Sequence, residues 1–448
     1  MSLDAFADRR GSLPAVVLGG GHNALGVFRS LGRKGIKVIA VHAKKRDAAS
    51  RSKFCSPVTV PYDPAVESER YADFLLQLPA PATSCALIPT GDAEVFAASR
   101  QRERLQKRYR YIMPPHDVVE ALIDKRLFAK LAQRYGMLTP RSYEIDSDGD
   151  IAAAAREIAY PCVIKPAISR AWSNADFQRR FGNLQGGWIK RLVIGSRAEF
   201  VDLYPQVAAF ESRLVVQEYI EGGDDALYDF YSYVDENSEP LGCFMLQKIR
   251  TLPIDGNGIG TCVKSVWDEA LAQSALGFLK AIGYRGNSAV CFKRCARSGR
   301  FYLIEVNARL ALHHSLAEYC GVDLSYMAYL DAAGIRPPAA SPARRNVLWL
   351  SFWDDLAAFR RYRRRGDLSF RAWIASLKGE KTHCFFAADD LRPSALKTAE
   401  ALLVEIFGRD RMRKLLRAAR RCAVAAYYYS RMARTLIHHK SRHKSSAA

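Results

Sequence analysis

From Ala15 onward, short apolar runs alternate with amphipathic stretches, the arrangement that βαβ units and a parallel sheet produce. The run Ala15 to Leu18 predicts a first strand. Gly19-Gly20-Gly21 then predict a turn into a helix from about Ala24 to Arg33, closed by Gly35, and a second strand covers Lys37 to His42. Cys85 to Ile88 predicts a further strand that ends in Pro89-Thr90-Gly91-Asp92. Polar residues at the carboxyl end of a strand mark the edge where open α/β sheets bind ligands. After Pro114-Pro115 the pattern predicts one helix over Val118 to Tyr135, ended by Gly136 and Pro140. A β-rich stretch follows, with strands at Cys162 to Lys165, Arg191 to Ile194, Leu214 to Ile220, Leu227 to Val234 and Leu241 to Ile249. A helix over Glu269 to Ile282 leads to strands around Val290 and over Phe301 to Val306. Pro337-Pro338 and the stretch Ala339 to Arg345 read as a linker, and the remainder reads as helical and rich in Arg and Ala. The expected organisation is α/β, in three regions: residues 1–113, 114–335 and 336–448.

Composition changes this picture in one respect. The 448 residues are 49% hydrophobic and 11% aromatic, ordinary for a folded protein, but 67 Lys+Arg against 46 Asp+Glu give a net charge of +21. That excess is concentrated. Arg409 to Ala448 contain 12 Lys+Arg and one acid, Asp410, and so carry about half of it; Arg360 to Arg365 add five positives in six residues. The rest of the chain is only mildly basic. Arg413, Arg417, Arg420 and Arg421 recur at helical spacing between Leu415, Leu416, Ala419 and Cys422, so the tail reads either as a solvated helix or as a basic amphipathic helix. The second reading gives it an anionic membrane or another polyanion as partner. Ten cysteines without a CxxC pair read as reduced thiols of a cytosolic protein. Asp4 and Asp8 stand where a secretory signal needs an apolar core, and no run approaches the roughly 18 apolar residues of a membrane span. The expected location is cytoplasmic, peripheral at the membrane if the tail binds there, with a homodimer as the expected assembly.

Four places carry candidate chemistry. Gly19-x-Gly21-x-x-Ala24 after a strand matches the dinucleotide fingerprint in form, but the second strand ends in Val41-His42, with no acid for a ribose, so a tight strand-to-helix turn is the preferred account of the glycines. Lys165 at the end of an apolar strand needs an anionic partner, because burying an unpaired charge is costly. Gln217 to Asp225 join two strands through a glycine turn, and such a hinge can offer backbone groups to a base and a carboxylate to a ribose. Glu305, Asn307 and Arg309 fall on one face of a strand at period two. A carboxylate, an amide oxygen and a guanidinium together suit a hard cation and a phosphate group.

With these motifs in order, the chain resembles the ATP-grasp superfamily of carboxylate–amine ligases. It is most similar to the branch of the D-aspartate ligases and the carbamoyl-phosphate-synthetase-like and pyrrolysine-biosynthesis ligases. The resemblance runs from about Ala15 to Gly334 and rests on Gly19-Gly20-Gly21 with Arg29-Ser30-Leu31, Ser52-Lys53-Phe54-Cys55, Pro89-Thr90-x-Asp92, Asp124-Lys125, Val163-Ile164-Lys165-Pro166, Gln217-Glu218-Tyr219-Ile220, Lys248-x-Arg250 and Glu305-Val306-Asn307-x-Arg309. It implies an ATP-grasp fold with an N-terminal Rossmann-like pre-ATP-grasp domain, to which this chain adds a helical, basic C-terminal extension. It implies ATP and Mg²⁺, or Mn²⁺ in its place, as cofactors. The substrates would be a small-molecule carboxylate and an amine or amino acid, joined as an amide through an acyl phosphate. By the same resemblance Lys125 and Lys165 hold the ATP phosphates, the hinge at Glu218, Tyr219 and Ile220 reads adenine, and Asp225 or Asp224 takes the ribose. Glu305 and Asn307 would bind metal, Arg309 would stabilise the acyl phosphate, and Lys248 with Arg250 would face the transferred phosphoryl group. Gly256, Gly258 and Gly260 would form an adjacent mobile loop. Asn23, Thr90 and Asp92, near strand ends of the first region, are the expected substrate contacts.

Two departures from the family stand out. Cys291 occupies the place of an acidic metal ligand on the strand before Glu305, and a thiol is a poor ligand for Mg²⁺. A water or another carboxylate substitutes, or one metal suffices, or turnover is lost; the last would leave an ATP-binding scaffold. The loop Ala167 to Phe181 also lacks the glycines of a phosphate flap, so the ATP lid would be built differently.

Overall fold

The computed structural model describes residues 13–42, 47–79, 84–143, 145, 148–182, 189–254, 258–406 and 408. The first five strands, β1 (Ala15–Leu18), β2 (Val38–His42), β3 (Ser56–Thr59), β4 (Cys85–Pro89) and β5 (Tyr109–Arg110), form a parallel sheet in the order β3-β2-β1-β4-β5. Its central strands read as unbroken apolar runs because both faces are covered. Ala15, Val17, Ala40, Ala86 and Ile88 enter one core, and Val16, Leu18, Ile39, Val41 and Leu87 the other. The strand order reverses between β1 and β4, and the turns after these two strands open at one edge.

The next four strands, β6 (Ser142–Tyr143), β7 (Cys162–Pro166), β8 (Leu192–Ile194) and β9 (Leu214–Glu218), make an antiparallel sheet in the order β6-β9-β7-β8. Helices Asp148–Glu157 and Arg197–Ala208 pack on it through Ile151, Ala155, Phe200, Tyr204 and Val207. The second helix lies inside the stretch that reads as β-rich. Its signal is a capping arrangement, in which the Ser196 hydroxyl accepts from the Glu199 backbone N–H at 3.2 Å.

The third sheet has seven strands, β10 (Leu227–Val234), β11 (Pro240–Leu252), β12 (Ile259–Val266), β13 (Gly286–Arg294), β14 (Phe301–Asn307), β15 (Leu348–Leu350) and β16 (Lys381–His383), in the order β14-β13-β10-β11-β12-β15-β16. One face, with Tyr231, Tyr233, Phe244, Leu246 and Ala289, packs toward the first sheet and the helix Leu324–Ala332. The other face, with Phe230, Val234, Met245, Val290 and Phe292, packs on the helix Glu269–Ala281.

The structure differs from the sequence pattern at three points. The predicted helix Val118 to Tyr135 is two helices, His116–Ile123 and Lys125–Arg134, because Asp124 leaves the helical conformation and its carboxylate accepts from Arg126 N at 2.9 Å, capping the second. Gly258 and Gly260 do not make a loop together: Gly260 lies in β12, where a side chain would collide with Val263 and crowd the His313 ring, and Gly256 lies outside the described residues. Residues 336–393, expected to be helical, supply β15 and β16 as well as helices Phe352–Arg365 and Phe370–Ser376, and the described residues up to Pro393 form one compact unit. Residues 394–406 are helical in a second unit. The basic segment Arg409 to Ala448 lies outside the described residues. Among the described residues no helix is long and apolar enough to cross a membrane.

A buried ion pair ties the end of the first unit to its beginning. Arg29, on the helix Gly21–Arg33, donates to Asp390 at 3.0 Å and to the Cys384 and Phe385 carbonyls, while the Asp390 carboxylate also accepts from the Ser52 hydroxyl and Lys53 N. The two side chains are 6% and 1% exposed. Removing one partner leaves the other charge buried and uncompensated, at a cost of about 3–5 kcal/mol. Asp390→Ala is therefore expected to lower the urea midpoint by that equivalent, and a change below about 1 kcal/mol would refute the role given to this pair.

Candidate functional site

A cleft of about 570 Å³ lies where the three sheets meet, lined by Asp92, Lys125, Ser169, Arg213, Glu305 and Asn307. Its residues come from distant parts of the chain. Asp92 opens the helix Asp92–Arg100 behind β4, Lys125 opens the helix behind the Asp124 cap, and Glu305 and Asn307 end β14. The Lys125 backbone N–H donates to the Ala167 carbonyl at 2.9 Å and its ammonium to the Ser169 hydroxyl at 2.8 Å. Lys165, half-buried on β7, donates to Gln217 Oε1 at 3.0 Å, and Gln217 in turn donates to the Ser142 hydroxyl.

The electrostatics of the cleft centre on Glu305. Burial pushes its carboxyl up, but Lys125, Lys190 and Lys248 outweigh burial and hold it below the ordinary range. The lysines feel the converse. Burial lowers Lys125, with Glu305 and Asp92 opposing, and Lys165 is pushed down to about 7 by burial, then by the neighbouring Arg191 and Lys125 charges. Arg309 donates through Nε to Asp92 at 2.6 Å and through Nη2 to Asn307 Oδ1 at 3.0 Å, so it joins the first sheet to the end of β14. Cys291 sits beside Glu305 in the β13–β14 ladder, and its thiol is pushed well above the ordinary range by burial, then by the Asp229 and Glu305 charges.

Several expected site residues take other roles. Lys248 lies 3.5 Å from Asp229 and interacts with the Glu305 charge, but Arg250 does not accompany it. A bulge at Ile249 puts Lys248 opposite Val263 and Arg250 opposite Cys262, successive ladder positions with opposite faces. Arg250 is buried behind the sheet, bonded to Asp355 at 2.8 and 3.0 Å and to the Ser376 hydroxyl. Asp224 is likewise buried, accepting from Thr251 N and Oγ1 and from the Tyr362 hydroxyl, which leaves Asp225 as the exposed carboxylate of the pair. Asn23 donates to the Thr90 and Leu310 carbonyls and so staples the first sheet to the loop beyond β14, while the Thr90 hydroxyl donates to Leu18 O within that sheet. Asp92 alone of those three lines the cleft.

The segment expected as the hinge runs from β9 to β10. Glu218 ends β9, its backbone N–H donates to Arg141 O at 2.9 Å, and Ile220 is buried. Tyr219 lies between two cations, with Lys293 Nζ 5.2 Å and Arg191 Cζ 5.8 Å from its ring centre. The segment after Lys165 is a packed cap in place of a glycine flap. Ser169–Ser173 forms a 3₁₀ turn and Ala175–Phe181 a helix, and the buried Trp172 stacks on Phe177 at 4.3 Å. Gly186-Gly187 lie outside the described residues. The sequence reading overlooked Asp229. Its signal is a carboxylate at the same strand parity as the buried Tyr231 and Tyr233, a position where an apolar residue is the norm.

Among solved structures, the biotin carboxylase domain of the Hydrogenobacter thermophilus 2-oxoglutarate carboxylase matches at a TM-score of 0.56 and 19% identity, over 75% of this chain and 73% of that one. An L-amino acid ligase from Bacillus licheniformis matches at a TM-score of 0.51 and 16% identity, over 72% and 75%. The family profile for the carbamoyl-phosphate synthase L chain, ATP binding domain, matches residues 263–338, the part that carries Glu305, Asn307 and Arg309. The fold is ATP-grasp-like. In sequence the chain is similar to the D-aspartate ligase of Enterococcus faecium, at 23% identity over 72% of the chain and 77% of that protein. The D-alanine–D-alanine ligase of Stutzerimonas stutzeri is 25% identical over 41% of the chain, which spans 54% of that protein.

The bulge assigns Arg250 to stability. Arg250→Met would strand the buried Asp355 carboxylate and is expected to cost about 3–5 kcal/mol. Chemical denaturation checks this, and a midpoint within about 1 kcal/mol of the parent would contradict the assignment.

Proposed function

We propose that the chain is an ATP-dependent ligase that activates a small carboxylate as an acyl phosphate and joins it to an amine or amino acid. The observation that carries the reading is the set of cations gathered around Glu305 from separate parts of the chain. A carboxylate cannot approach a triphosphate until several negative charges are offset, and clustered lysines, an arginine and a bound cation do this without reorganising during the reaction. The sequence likeness to the D-aspartate ligase and the D-alanine–D-alanine ligase supports the same chemistry.

In this mechanism Lys125 and Lys165 hold the ATP phosphates, the hinge backbone from Glu218 to Ile220 borders the adenine with Tyr219 beside it, and Asp225 takes the ribose. The substrate carboxylate attacks the γ-phosphorus and ADP leaves. The amine then attacks the acyl carbon, inorganic phosphate departs with the C–O electron pair, and the amine loses its proton. Lys248 faces the transferred phosphoryl group, and Arg309, oriented by Asp92 and Asn307, neutralises the acyl phosphate and the tetrahedral species that follows. Glu305 and Asn307 offer hard oxygen donors that fit Mg²⁺, or Mn²⁺ in its place, and such a cation supplies charge neutralisation at the phosphates. The five-stranded sheet acts as a Rossmann-like pre-ATP-grasp domain, whose edge at Asp92 presents the carboxylate substrate. A homodimer, and a membrane or polyanion contact through Arg409 to Ala448, complete the proposal. A second reading, nucleotide binding without turnover, draws on Cys291.

ADP release measured across amino acids and small dicarboxylates tests the proposal. Lys165→Ala is expected to lower kcat by about 10²–10³-fold, as for loss of one transition-state donor. No release with any pair, alongside normal nucleotide binding, would favour the second reading. The depressed Lys165 also sets a pH signature. A lysine titrating near 7 is mostly neutral at pH 8, and bound phosphate raises it, so nucleotide binding should take up close to one proton at pH 8 and almost none at pH 6. Calorimetry in buffers of different ionisation enthalpy reads this uptake. Lys165→Met should abolish it, and an unchanged uptake in that variant would remove Lys165 from the phosphate site.

A further inference from the structure

The ladder registers place Glu305, Cys291 and Asp229 in one row across β14, β13 and β10, all on one face of the sheet, and Glu305 at the end of that row lines the cleft. Cys291 holds the middle position, where the family resemblance implies an acid. Asp229, one strand further, is 5% exposed. Its Oδ2 lies 3.5 Å from the Lys248 ammonium, well beyond the roughly 2.7–2.9 Å of a charge-assisted hydrogen bond. Its Oδ1 is buried and has no N–H or O–H donor among the described residues. The neighbouring thiol offers only a weak donor. A buried carboxylate oxygen left so is costly unless something positive meets it.

A counter-ion role toward Lys248 does not account for this geometry, because it uses one oxygen poorly and the other not at all. A cation between Asp229 and Glu305 accounts for both. The two residues are separated by two inter-strand spacings, roughly 10 Å. Their side chains reach about 6 Å together by standard bond lengths, and two metal–oxygen bonds of about 2.1 Å cover the remainder. Cys291, small and neutral, lies beneath that line without competing for the ion. Asn307 is on the same side, its amide 3.8 Å from the Cys291 sulfur and 3.4 Å from Glu305 Oε1.

We propose that Asp229 supplies, from β10, the second carboxylate for the divalent cation, so that the acid missing from β13 has been relocated by one strand. The inference rests on the nucleotide-and-metal reading above but concerns this chain's own ligand set. It answers the question that Cys291 poses, since the thiol is then a spacer and the site keeps two carboxylates. Lys248, released from Asp229 when the cation binds, becomes free to meet the transferred phosphoryl group.

The experiment measures Mn²⁺ binding to the full chain with ADP, from the electron paramagnetic resonance signal of free Mn²⁺, without requiring turnover. Asp229→Asn, nearly isosteric, is expected to weaken Mn²⁺ binding by about tenfold or more. Adding Cys291→Glu to that variant should restore binding to within a few-fold, whereas Cys291→Glu in the parent should change it little. Parent-like Mn²⁺ affinity in a folded Asp229→Asn variant would overturn the inference. So would a parent that binds ADP but no Mn²⁺ with it; a parent that binds neither would take the ligase reading down as well. If Asp229→Asn does not fold, the parent decides. Fe²⁺ bound with ADP, treated with ascorbate and peroxide, should cleave the backbone near Asp229 as well as near Glu305. Cleavage confined to β14, or none, would overturn the proposal.

Discussion

The structure depends on holding several like charges in one partly dry cleft. Lys125, Lys165, Lys190, Lys248 and Arg309 all interact with Glu305 at its edge, and each would be expensive alone. Glu305 and Asp92 make the arrangement tolerable. Glu305 is held ionised by three lysines against burial, and Asp92 is held ionised by Arg309 and Lys125 against the same cost. Positive charge still exceeds negative, and this is the property a site for polyphosphate requires. The two acids lie on different sheets, so the balance of the cleft requires the first and third sheets to be docked. The Asn23 amide, bonded to both Thr90 O and Leu310 O, and the buried Arg29–Asp390 pair serve that docking.

Backbone irregularity decides which charges reach the cleft. An unbroken β11 would carry Lys248 and Arg250 on one face; the extra residue at Ile249 sends Arg250 to the other side, where Asp355, Thr261, Trp373 and Ser376 form a closed polar cluster. A second register shift lies just past Cys291, and up to that point the Glu305–Cys291–Asp229 row stays in line. The face of each charged group thus depends on a single inserted residue.

Much of the candidate site was legible because its residues sit at the ends of strands or helices with strong local signals. Lys165 closes an apolar run, Glu305 and Asn307 alternate along a short strand, and Lys125 follows a helix-capping aspartate. Asp229 was hidden by its context. It sits in the middle of an aromatic strand, and only its neighbours on β13 and β11 reveal that its face borders the cleft. Asn23, Thr90 and Asp224 were misjudged for a related reason, since polar residues near strand ends look alike whether they meet a ligand or a distant backbone group.

By itself the sequence determined the alternation of strands and helices, the positions of the glycine turns, the concentration of charge in the last 40 residues, and the set of residue types capable of phosphate and metal chemistry. These follow from local rules: periodicity of burial, capping, and backbone freedom at glycine. Tertiary structure alone decided which charges share a cleft. It paired Arg309 with Asp92 across 217 positions of chain, turned Arg250 away through a bulge, and aligned Asp229 with Glu305 across an intervening cysteine. Burial and Coulomb interaction act through space, and sequence separation carries no information about either until the sheets are docked.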